Sequence, residues 1–113
     1  MNKRILDCNA SDFATGTKQE LLQAIAGGEG RTLLCESIGM AMPVLGDVTN
    51  AELAAAMGAD ILLLNLFDVN CPVINALPTV PPQDVVKEVK RLTGRPVGIN
   101  LEPAPPVVDD GTP

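Results

Sequence analysis

Apolar and polar positions along the chain fall into alternating helical and strand-like blocks. The first sixteen residues carry no clear period, with Ser11 or Asp12 as the cap of a short helical turn. Thr17 followed by Glu20 has the form of a capping box, the hydroxyl taking a free backbone N–H and the carboxylate reaching back. Leu21, Leu22 and Ile25 then predict one apolar helical face, and Gly27-Gly28 a left-handed stop. Arg31 to Cys35 reads as a short buried strand ending at Glu36, followed by a long loop broken by Gly39, Pro43 and Gly46. Thr49 with Glu52 predicts a second capping box, opening an Ala-rich helix over Asn50 to Met57 that Gly58 ends.

The run Ile61-Leu62-Leu63-Leu64 has no alternation, which predicts a strand covered on both faces, as in parallel sheets. Beyond Asn65 and Asp68 a second long loop leads to Pro81-Pro82. Val85, Val86, Val89 and Leu92 then recur at helical spacing, with Lys87, Lys90 and Arg91 toward the C-terminal end, where the helix dipole favours cations. Val97 to Leu101 reads as the third strand, closing on Asn100 and Glu102. The fold class is therefore α/β: three βα-type units with a parallel sheet joined by right-handed crossovers. The boundaries are a partial barrel-like domain over residues 1–103 and a flexible Pro-rich tail over 104–113. A closed barrel of eight such units takes roughly 250 residues. Three strands with raw edges predict self-association or a partner chain.

Composition narrows the function classes. The 113 residues carry 14 Asp and Glu against 8 Lys and Arg, for a net charge of −6. That balance argues against nucleic-acid binding, which neutralises phosphates with cations. His is absent, which excludes His-based triads and His zinc ligands. No apolar run approaches the roughly 18 residues of a membrane span. Mean hydropathy of +0.22 rules out a wholly disordered chain. Cys8, Cys35 and Cys71 are odd in number and lack C-x-x-C spacing, so no disulfide framework is expected. Cys35 reads as a small buried core residue, and Cys8 or Cys71 as the open thiol candidates. Lys3 and Arg4 precede no apolar leader-like stretch, so no secretory signal is expected and a reducing cytoplasm is the expected compartment.

Candidate chemistry lies where polarity returns at the strand ends: Glu36, then Asn65 with Asp68, then Asn100 with Glu102. Parallel α/β folds bind ligands at this carboxyl edge. Glu36, Asp68 and Glu102 are the candidate acid/base groups and the candidate ligands of a Mg²⁺ ion. Asn65 and Asn100 are candidate ligand-binding residues, although loops turn polar for solvation alone. Asp47, Thr49 and Asn50 open a helix on the same face and are candidates for an anion such as phosphate. No nucleotide-binding glycine loop is present.

Asp7-Cys8-Asn9-Ala10-Ser11-Asp12, Glu29-Gly30-Arg31-Thr32, Gly46 through Glu52, Gly58-Ala59-Asp60, Leu64 through Asp68 and Gly94 through Pro103 together carry a resemblance. They resemble a bacterial family of uncharacterised TIM-barrel-like proteins, loosely labelled haloacid-dehalogenase-like hydrolase or phosphoenolpyruvate phosphonomutase. The resemblance implies that the chain corresponds to the first part of such a barrel. It carries no catalytic residues with it. Two functions stay open: an enzyme or binding domain for a small phosphorylated or carboxylated metabolite, and a non-catalytic remnant or assembly module that binds another chain through its open sheet edge.

Overall fold

The computed structural model describes residues 3–101; Glu102 and the expected domain boundary and tail lie outside them. A 3-10 turn at Ile5–Asp7 precedes helix α1 (Ala10–Thr15) and helix α2 (Lys18–Gly27). Strand β1 (Leu34–Ile38), helix α3 (Asn50–Ala56) and strand β2 (Ile61–Asn65) follow. A second 3-10 turn at Pro82–Asp84 leads into helix α4 (Val85–Thr93) and strand β3 (Val97–Ile99). The three strands are parallel and lie in the order β1-β2-β3. The α/β class with a three-stranded parallel sheet is thus as the sequence implies.

Local chemistry sets the helix ends. Thr17 and Glu20 form the expected box, with the Glu20 N–H donating to Thr17 Oγ1 at 3.2 Å and the Thr17 N–H to Glu20 Oε1 at 3.0 Å. Helix α1 is capped by Asn9 rather than by Ser11 or Asp12. Asp12 instead serves as the third residue, accepting from the Asn9 N–H at 2.8 Å. At α3 the box is altered. Thr49 Oγ1 accepts from the Glu52 N–H at 3.1 Å, and the Glu52 carboxylate accepts from the Thr49 hydroxyl instead of its N–H. The end of α2 also departs from expectation. Gly28 is right-handed (φ −76°), and the left-handed residues that turn the chain are Glu29 and Gly30.

Strand β2 organises the core. Leu62 and Leu64 are buried on one face, where α3 and α4 lie side by side; Leu62 packs with Ala51, Ala59 and Val89. On the opposite face Ile61 meets a second cluster built from Ile5, Cys8 and Ala24, with Leu21 and Ile25 against it. Cover of that second face stops there. Leu63 is only half-buried, and its neighbours Leu34 and Ile38 on β1 are exposed, so the two-sided cover expected of the Ile61–Leu64 run is complete on one face alone. Leu22, expected on the apolar face of α2, is also exposed, as is Leu101, which lies beyond the end of β3.

Strand β1 differs most from its expected form. It spans Leu34–Ile38 rather than Arg31 to Cys35, its residues are half-buried or exposed, and Glu36 is its middle residue rather than its end. The shift follows from Asp60. Its carboxylate accepts from the Leu33 N–H at 2.8 Å, and the Asp60 and Ile61 N–H groups both donate to the Leu33 carbonyl. Leu33 is therefore the clamp that starts the ladder, and the first strand pair is Leu34 with Ile61. The Gly58-Ala59-Asp60 sequence supplies a chain stop, a buried core methyl and this clamp in succession.

Removing a charged acceptor from a part-buried amide costs about 2 kcal/mol. Asp60→Ala is expected to lower stability by about that amount in a urea melt, and Asp60→Asn, which keeps an acceptor oxygen, by less than half as much. Equal losses in the two variants would show that the carboxylate does not clamp the strands.

Candidate functional site

The carboxyl ends of β2 and β3 meet through their asparagines. Asn100 Nδ2 donates to Asn65 Oδ1 at 3.1 Å, while the Asn100 N–H donates to the Leu64 carbonyl at 2.9 Å and so extends the ladder by one residue. Asn65 Oδ1 also accepts from the Leu66 N–H at 2.9 Å. Leu66 is left-handed (φ 54°), which costs a branched residue on the order of 1 kcal/mol. The chain thus turns sharply away at the end of the central strand, with the Asn65 carboxamide holding the turn and reaching to β3.

An open groove of about 590 Å³ runs beside the end of β1. Glu36, Asn50 and Asn65 all line it, together with Ser37, Ile38 and Val44. Register puts Glu36 opposite Leu63 and Ile38 opposite Asn65, so Glu36 sits two residues behind the asparagine end on the same face of the sheet. Glu36 is exposed.

The other sequence-predicted residues are placed differently. Asp68 lies past the turn, where Oδ1 accepts from the Asn70 N–H at 2.9 Å, and it does not line the groove. Thr49 is buried and both donates to and accepts from Glu52. Asn50 Oδ1 accepts from the Val44 N–H at 3.0 Å and so pins the preceding loop to α3. Asp47 is exposed and outside the groove. Among the described residues no group of three or more His, Cys, Asp or Glu is placed to hold a metal ion. None of the three cysteines forms a disulfide among the described residues; Cys8 is buried, Cys35 half-buried and Cys71 exposed. Burial pushes the Cys8 thiol above its usual range, with the Asp12 charge adding to the effect, and Cys8 packs in the core with Ile5 and Ala24.

One residue of this region is not among the expected site residues. Asn75 Nδ2 donates to the carbonyls of Met40 at 2.7 Å and Ala41 at 3.1 Å, and its N–H donates to the Gly39 carbonyl at 2.8 Å. These bonds lace the loop after β2 to the loop after β1. Gly39 permits the approach, since a Cβ there would lie 2.8 Å from Ile74 Cγ1. The breakers Gly39 and Pro43 signal the loop in the sequence, but no local pattern announces its partner 35 residues on.

The chain belongs to the family described as Domain of unknown function (DUF7916), which it matches over residues 6–111. No curated protein matches it, and no solved structure does. Among the described residues, no helix is long and apolar enough to cross a membrane.

Gly39→Ala is expected to cost about 1–3 kcal/mol, the usual penalty for forcing an atom into a closed contact. A urea midpoint equal to that of the parent would show that the two carboxyl-end loops are not packed as described.

Proposed function

We propose that the carboxyl end of this sheet is the ligand-binding end of a barrel-type protein that takes a small phosphorylated or carboxylated metabolite. The observation that carries the reading is the convergence of Asn65 and Asn100 from adjacent strands beside a left-handed Leu66. Polar side chains meeting at a strained turn beyond parallel strands are what a binding end of this architecture uses. The barrel part of the proposal is supported by the sequential order β1-β2-β3 and by α3 and α4 packing on one face. The other face would then point inward, with the first 3-10 turn and α2 closing its amino end around Ile61.

In this proposal Asn65 and Asn100 orient the ligand, and Glu36, Asp68 and Glu102 are the carboxylates available as acid or base. Asp47, Thr49 and Asn50 shape the loop beside them. The described residues alone do not fit a Mg²⁺ ion, so no metal step follows. The family match carries no activity, and the hydrolase-like and phosphonomutase-like labels are reaction classes that this reading leaves to experiment.

A second reading is favoured by exposed apolar surface. Met40, Met42, Val44, Leu45, Leu66 and Val69 are all exposed around the carboxyl-end loops, and Leu34 is exposed on the uncovered sheet face. Surface of that kind marks contact with further polypeptide. Here the chain is an assembly module that covers this face with another chain, and a binding end would be completed by that partner.

The first reading is checked by thermal melts of the chain with a panel of phosphorylated and carboxylated small molecules. A ligand at a hundred times its Kd stabilises the folded state by about 2.7 kcal/mol. At least one compound is expected to raise the melting temperature, and Asn100→Ala to abolish that rise; a panel without effect would overturn the reading. The second reading is checked by light scattering at micromolar concentration with a urea melt. Association is expected. A monodisperse monomer that unfolds cooperatively with more than about 5 kcal/mol would overturn it.

A further inference from the structure

At the opposite, amino end of the sheet the molecule has a cleft of about 640 Å³, walled by α1 and the start of α2 on one side and by the end of α4 on the other. Five of the eight Lys and Arg line it: Lys18, Lys87, Lys90, Arg91 and Arg95. No described carboxylate does, in a chain with fourteen. The cleft lining therefore carries five cationic side chains and no described carboxylate, a concentration of positive charge on an acidic molecule.

The acidic groups nearest in sequence are engaged elsewhere. Asp12 accepts from Lys3 and from the Asn9 N–H, and Glu20 accepts from the Thr17 N–H. Glu88 holds Arg91 through two hydrogen bonds, which lowers the Glu88 carboxyl below its usual range and fixes the guanidinium at the rim. Lys18, Lys87, Lys90 and Arg95 form no ion pair with any described residue. The floor between them is apolar and half-buried, formed by Phe13, Leu21 and Val97. Gly94 closes one end: it is left-handed (φ 65°), and a Cβ there would lie 2.8 Å from the Ala10 Cβ.

We propose that this cleft binds a small organic anion in which a phosphate group is joined to an apolar body. Four cations without an ion pair among the described residues suit a multiply charged group, for which lysine serves as a point-charge partner. The apolar floor suits the rest of the ligand, and the volume falls in the range of small-molecule pockets, about 300–1,000 Å³. The cleft is separate from the asparagine end, since Val97 begins β3 whereas Asn100 follows its last residue.

The test is calorimetric titration of the full chain at low salt with 1-naphthyl phosphate, 1-naphthol and inorganic phosphate. The naphthyl phosphate is expected to bind at least roughly tenfold more tightly than either half alone, because charge and apolar contact act together. Its affinity should fall as salt rises. The double variant K90Q/R95Q, with folding checked by circular dichroism, is expected to lose at least roughly tenfold in affinity. Lys18→Gln, an exposed change on the facing wall, should weaken binding several-fold, and it serves alone if the double variant does not fold. Absence of binding, equal binding of 1-naphthol, or an affinity unchanged in the folded variants would overturn the proposal.

Discussion

Everything in this fold hangs on β2 being paired on both sides while its two faces meet different neighbours. Leu62 and Leu64 fix α3 and α4 to one face, and Ile61 fixes the amino-terminal turn and α2 to the other. A strand placed centrally in a parallel ladder must send its connections across the sheet, which is why helices rather than tight turns join the strands. The Asp60 carboxylate then settles where β1 begins against it. Both polar features of the molecule follow from that arrangement. The ends of β2 and β3 bring Asn65 and Asn100 together, and the return from α4 to β3 gathers Arg95 with Lys87 and Lys90.

Where the sequence pattern is strong, the structure follows it. The Thr17-Glu20 pair, the Ala-rich α3, the valine-spaced α4 and the unbroken aliphatic run of β2 are all local signals, and each lies close to its expected place. Strand β1 was harder to read because its start is set by a clamp from Asp60, a residue 27 positions away. Hydropathy alone places the strand over Arg31 to Cys35, and so places Glu36 at its end. The turn after α2 departs from its local signal too: Gly27 and Gly28 look like the stop, but the helix continues through Gly27 and the left-handed residues are Glu29 and Gly30.

The site was legible in outline and not in detail. The return of polarity at Asn65 and Asn100 follows from strand length, so their meeting could be anticipated from register. The work done by Asn50 could not, because its partner is a loop amide, and Asn75 reaches across two loops with no sequence signature. Glu36 and Asp68 separate for a geometric reason. One sits within a strand, and the other closes a turn on its own backbone beyond the left-handed Leu66. The cationic cleft escapes a linear reading because Lys18 and Arg95 are far apart in the chain, and their elements come together in the fold, with Ala10 close against Gly94.

The lacing of Asn75 to Gly39, Met40 and Ala41 has a consequence for how the molecule breathes. These bonds join two loops whose outer side, with Met40, Met42 and Val73, is exposed, while Ile74 and Leu77 pack the second loop against the core. Neither loop can open by itself without breaking the carboxamide's bonds to the other. Local unfolding in proteins proceeds through such cooperative units, each with its own opening free energy. The two carboxyl-end loops therefore form one such unit. The Asn75 amide, bonded across the two loops, is expected to exchange its hydrogen with solvent when that unit opens, and the amides of β2 only when the sheet itself comes apart.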